Sequence, residues 1–231
     1  GSPDARIRIN GNGFTIRSSD SWNGRFTLKH VDVTNLGLLL DPTPGVKITT
    51  TSAIYLEDCV FDATNSLDLT VNGTATAVIR GNEFRSNMFM NVAQFPINQA
   101  NGPDSTDPVL RLRGNSTEQH FFQGNNVGLS TIKLRSARNW LIGGSTAAET
   151  NVLIGPRVGL ALSDGSGLQI RGNISDQLYF GGWSQGNNFE LHSGADLVVE
   201  HNLVSGGSWP VRGTGGVFRY NLVLNAGEDW L

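Results

Sequence analysis

Leu168-Gln-Ile170-Arg-Gly-Asn173 and Leu197-Val-Val199-Glu-His-Asn202-Leu-Val204 carry one phrase twice: apolar-x-apolar-x-x-Asn. The chain opens on a version of it, Ile7-Arg-Ile9-Asn-Gly-Asn12-Gly-Phe14. Aligned on the Asn position, the phrase gives nine rungs, anchored at Asn12, Val31, Cys59, Asn82, Asn115, Ser145, Asn173, Asn202 and Asn221. Their spacing runs from 19 to 33 residues. Three residues before each anchor stand Ile9, Leu28, Leu56, Ile79, Leu112, Ile142, Ile170, Val199 and Phe218, all apolar. Alternation with period two, repeated on every rung, reads as strands with one buried face.

Other short apolar stretches lie between the anchors, such as Leu67-Asp-Leu69-Thr-Val71, Leu160-Ala-Leu162 and Phe189-Glu-Leu191. Around them sit 29 Gly and 22 Asn, residues that tolerate turns and left-handed backbone. No segment has the period of an amphipathic helix. A strand that recurs at this interval without helices predicts an all-β solenoid of about nine coils, with two to three short strands in each. At one strand spacing per coil the rod is roughly 40 Å long.

The chain has 231 residues, a net charge of −3 and 16% charged residues, within reach of a single domain. Residues 7–231 read as that domain. Residues 1–6 read as an expression remnant or an incomplete N-terminal cap. No capping element follows residue 221, so the chain is expected to belong to a longer protein. The single cysteine, Cys59, excludes a disulfide framework and a Cys-based zinc site. No apolar run reaches about 18 residues, so no membrane span is expected. The absence of basic blocks argues against nucleic acid as a partner. Oligomeric state is not legible.

With Ile79-Arg-Gly-Asn82, Ile170-Arg-Gly-Asn173, Arg219-Tyr-Asn221 and the variant Trp140-Leu-Ile-Gly-Gly-Ser145, the chain resembles the parallel β-helix repeats of the pectin-lyase-like superfamily. The resemblance implies a right-handed parallel β-helix whose anchor Asn side chains point inward and stack as a ladder. It also implies an extracellular or periplasmic bacterial protein, with the cell surface included, that binds or processes a polysaccharide. The sequons at Asn72, Asn115 and Asn173 would then place Asn115 and Asn173 on the buried ladder, which argues against glycosylation there. The Gly-His-Gly and Arg-x-Lys motifs of polygalacturonases are absent. So are the Trp-x-Asp-His and Arg-x-Pro-x-x-Arg motifs of pectate lyases. The layout of 189–202 is similar to alginate-lyase and chondroitinase-B-type repeats, but Glu190 or His192 stands where their Arg is expected.

Candidate site residues follow from the outward columns. The column two before the anchor reads Asn10, Lys29, Glu57, Arg80, Arg113, Gly143, Arg171, Glu200, Arg219. Its ends alternate in charge, as a salt ladder would. Its middle puts Arg80 beside Arg113, with Arg111 nearby and Arg171 beyond the Gly143 gap. An uncompensated cluster of arginines suits a carboxylate, sulfate or phosphate, which predicts substrate binding by Arg80, Arg111, Arg113 and Arg171. Trp183 and Trp209, in Gly-rich turns, offer flat faces for sugar rings. For acid–base chemistry the candidates are His192, His201 and Glu200. No cofactor is indicated; Glu57, Asp58 and Asp62 are the oxygen donors a Ca²⁺ ion would draw on. Three readings stay open: a lyase or hydrolase for acidic glycans, a polysaccharide-binding module, and a structural rod or adhesin segment with no active site.

Overall fold

The computed structural model describes residues 1–19, 22–37, 44–62, 67–85, 109–128, 131–154, 160–163, 165–176, 189–192, 194–205, 211–212 and 216–224. Among these residues three parallel sheets wrap one core. The first sheet stacks nine strands, from Ile7–Asn10 to Leu222–Leu224. The second stacks eight, from Ile16–Arg17 to Val211–Arg212. The third stacks eight, from Phe26–Lys29 to Gly216–Arg219. The chain visits the sheets in that order, coil after coil. The fold is a right-handed parallel β-helix of eight coils with a ninth begun. A two-stranded annex pairs Gly165–Ser166 with Gly194–Ala195.

Alternation drives each strand into place. Leu28, Leu56, Ile79, Phe122, Ile142, Ile170, Val199 and Phe218 align in register along the third sheet. From Leu56 to Val199 this column is almost wholly buried. Phe61 and Phe84 stack at 5.2 Å on the facing first sheet, and Phe122 closes on Phe84 at 6.1 Å. Every coil therefore sends aliphatic and aromatic side chains to a shared axis, where burial supplies the main driving force.

The corner from the third to the first sheet explains the Asn of the phrase. Its first residue is left-handed in coil after coil: His30, Asp58, Gly81, Gly124, Gly172, His201 and Tyr220 have φ between 52° and 65°. The next residue turns inward. Each buried Asn there bonds both ways along the rod. Toward the preceding coil Asn82 Nδ2 donates to the Leu56 carbonyl at 2.8 Å and Asn82 Oδ1 accepts the Cys59 N–H at 2.9 Å; toward the next, Asn82 Nδ2 donates to Asn125 Oδ1 at 3.0 Å. The pattern continues through Asn125, Asn151, Asn173, Asn202 and Asn221. The ladder steps are 23, 43, 26, 22, 29 and 19 residues long. Buried amides and corner backbone groups thereby satisfy one another.

Three expected anchors are corrected. Asn115 is exposed and off the ladder; it follows strand Val109–Gly114 of the second sheet, and its N–H donates to Asn72 Oδ1 at 3.3 Å. The fourth-coil anchor is Asn125, after His120-Phe-Phe122-Gln-Gly. Ser145 gives way to Asn151 because the corner holds an insertion, including the 3₁₀ turn Ala147–Glu149. The Glu149 carboxylate accepts the Ser145 and Thr146 N–H groups at 2.9 and 3.1 Å, which shapes that insertion. Asn12 follows a first-sheet strand, where Ile9 pairs with Val33 rather than with Leu28. The physical reason is common to Asn12 and Asn115: all three sheets bury alternate residues, so the apolar phrase by itself does not say which sheet it belongs to.

Candidate functional site

The outer column of the third sheet runs Lys29, Glu57, Arg80, Gln123, Gly143, Arg171, Glu200, Arg219. It is largely a salt ladder. Lys29 Nζ lies 3.0 Å from Glu57 Oε2. Glu200 is shared, with Arg219 Nε at 2.7 Å and Arg171 Nη1 at 3.8 Å. The hydrogen bond from Arg219 holds the Glu200 carboxyl below its ordinary range. Glu200 is therefore a carboxylate tied to two arginines, not a ready proton donor. Arg80 donates to the Gln123 side chain, and Gln123 Nε2 donates to the Gly143 carbonyl at 3.1 Å. The expected contact between Arg80 and Arg113 is corrected: Gln123 is the neighbour of Arg80, because Asn125 rather than Asn115 sets the register of the fourth coil.

Arg111 and Arg113 instead lie on the second sheet, in strand Val109–Gly114. There they meet a different set of neighbours. Arg111 is in register with Asp68 on one side and Lys133 on the other; Lys47 extends the row beyond Asp68. Arg113 is in register with Thr70, and Arg135 lies two positions beyond Lys133. Leu69, Leu112 and Leu134 between them are buried at the axis, so alternation places these positions on the outer face. Over four successive strands that face holds five basic positions, Lys47, Arg111, Arg113, Lys133 and Arg135, against one acid, Asp68. Asp68 pairs with Arg113, Nε to Oδ1 at 3.6 Å, and its side chain is only 12% exposed. Five basic positions against one acid give these four strands a positive formal charge, which suits an anion. Sequence reasoning found Arg111 and Arg113 but missed Lys47, Lys133 and Arg135, whose strands it did not align.

The acid–base candidates do not assemble. His192 ends strand Phe189–His192 of the second sheet, in register with Arg212. Glu200 and His201 belong to the third sheet and its corner. The exposed His201 ring stacks on Tyr220 at 5.0 Å, and the Arg219 guanidinium sits 5.6 Å from the Tyr220 ring centre. Tyr220 is a further residue that sequence reasoning left out. Trp183 and Trp209 lie outside the described residues.

No group of three or more His, Cys, Asp or Glu among the described residues could hold a metal ion. Glu57 and Asp62 lie on different sheets, and Glu57 is engaged by Lys29, so the oxygen donors named for Ca²⁺ are not gathered. Cys59 is buried below the ladder, and burial pushes its thiol up, away from the reactive thiolate. No helix among the described residues is long and apolar enough to cross a membrane. Comparison of the chain with family models, with curated proteins and with solved structures found no match.

Proposed function

We propose that this β-helix binds an acidic polysaccharide across the outer face of its second sheet, outside the cytoplasm. One observation carries the reading: Arg111 and Lys133 are adjacent and in register, flanked by Arg113 and Arg135, with Asp68 the one acid among the outward positions of these four strands. Arginine forks suit carboxylate and sulfate groups, and a polymer laid across the strands would meet a new pair of cations at each of two coils. The Ile-Arg-Gly-Asn phrases that resemble the pectin-lyase-like superfamily support the same ligand class. The reading is one of binding: the carboxylate inside the cluster, Asp68, is engaged by Arg113, and the next acidic position of the row, Glu190, lies two coils beyond Lys133. A screen of soluble acidic and neutral polysaccharides, read for binding and for release of unsaturated or reducing ends, tests it. Salt-sensitive binding of acidic polymers is the expected result. Failure of every acidic polymer to bind would overturn it, and product release would extend it to an enzyme.

The second reading is a structural rod. The ladder from Asn82 to Asn221 and the salt rows around Glu57 and Glu200 favour it, since both serve rigidity without any ligand.

A further inference from the structure

The outer face of the first sheet changes character along the rod. In the early coils its outward positions are mostly polar: Arg8, Asn10, Asp32, Thr34 and Glu83. Arg6 pairs with Asp32 there at 2.6 Å, and Arg85 with Glu83 at 2.6 Å. From the sixth coil the same positions turn aliphatic. Val152, Ile174, Leu203 and Leu222 follow one another in register, and Ile154 and Leu224 flank the row. Leu153, Ser175 and Val204 point to the axis, so the row faces outward. Ile154 and Ile174 are each 39% exposed, Leu222 57% and Leu224 43%. Together the six side chains present on the order of 300–400 Å² of aliphatic surface, the scale of the largest patch on a typical monomer, which is often functional.

We infer that this stripe is the contact between two copies of the chain, related by a two-fold axis that lies along the strands. Such an axis keeps the position along each strand and reverses the order of coils. Val152 then meets Leu222 of the other copy, and Ile174 meets Leu203. The flanking positions pair Ile154 with Leu224. The one acidic position in the stripe, Asp176, falls opposite Ser205, so it does not meet its own copy. A two-fold axis along the rod would instead set the Asp176 row against the aliphatic row. The small Val152 faces the large Leu222, and flat sheet faces pack on one another in this manner. With a polar rim, two such patches bury on the order of 1,000 Å², the lower bound of a specific and weak interface. The stripe holds no basic position to attract the acidic polymer proposed for the second sheet, so the two surfaces are independent.

Sedimentation velocity of the full chain over a range from micromolar to near-millimolar concentration tests the proposal. Val152 and Leu222 are three coils apart, about 14 Å, so they do not touch within one copy. The expected result is a concentration-dependent dimer, lost at least tenfold in affinity in V152K and in L222E, and regained in the double variant V152K/L222E. Circular dichroism of each variant checks that the β-helix is intact. A wild-type chain that stays monomeric throughout, single variants that still dimerise, or a double variant that does not recover would each overturn it.

Discussion

Asn125 Oδ1 accepts the backbone N–H of Asn82 at 2.9 Å across 43 residues, the same bond that Asn82 makes to Cys59 across 23. A coil nearly twice as long thus closes with unchanged geometry. Loop length adds little closure entropy, whereas each unmade buried bond costs fully. Asn125→Ala removes two donors and an acceptor and strands the Ile79 carbonyl and the Asn82 N–H. It should destabilise the fold by about 2–4 kcal/mol in urea unfolding. Asn115→Ala, at an exposed corner, should stay within about 0.5 kcal/mol. The reverse order would restore Asn115 to the ladder.

A left-handed corner makes a second prediction. Gly172 has φ +63°, and a Cβ there would lie 2.1 Å from the Gly144 carbonyl oxygen. The three nearest atoms all belong to the Gly144 backbone, which leaves little room to yield. Gly172→Ala should cost about 2 kcal/mol or more, combining strain and clash. Gly172→Ala that unfolds at the wild-type urea midpoint would show that the corner is not constrained.

Much of this was legible in the sequence, and what was not has a physical cause. The Arg-Gly-Asn corners at 80–82 and 171–173 declare themselves because a left-handed residue and an inward amide are needed together. The Trp140–Gly143 strand was found with its corner misread, since an insertion separates Ile142 from Asn151. In the fourth coil His120 occupies an inward position where the pattern expects an aliphatic residue, so Leu110-Arg-Leu112 took its place. That one exchange carried Arg113 onto the wrong sheet and hid its true neighbours. The outer faces are harder to read than the core, because a charge column is only as good as the register beneath it.

His120 itself yields a pH prediction. Its imidazole is buried beside Trp140, ring centres 5.0 Å apart, and Nδ1 accepts the Ala77 N–H at 3.1 Å. The bond requires a neutral ring with its proton on Nε2. Burial lowers the folded-state pKa to about 4 from 6.5. The neutral ring's contribution is whole above pH 6.5, and it drains away as pH falls toward 4, where the folded ring also takes its proton. The loss from this one group approaches about 3 kcal/mol. His120→Asn offers an amide oxygen to the same N–H without titrating. Unfolding measured from pH 7.5 to 4.5 should show a flatter profile for that variant; parallel profiles would remove His120 from the acid response.

Asp68 opposes the proposed ligand. It is the one acid among the five basic positions of the second-sheet face, and it neutralises part of Arg113. Asp68→Asn keeps the shape and deletes the charge. Binding of a polyuronate should tighten by roughly two- to tenfold, or about 0.4–1.4 kcal/mol, with a steeper loss in salt. Calorimetric titration at two ionic strengths checks it, and weaker binding in the variant would place the ligand elsewhere.

The most direct measurement compares faces. Arg111→Ala/Arg113→Ala removes the two arginines at the centre of the second-sheet cluster, while Arg80→Ala/Arg171→Ala strips the third-sheet ladder of the same amount of charge. Affinity for one acidic polysaccharide, measured for both double variants beside the wild type, separates a site from a general positive charge. The account predicts a loss of at least tenfold in the first and less than threefold in the second. Equal losses in the two, or a greater loss in the second, would contradict it.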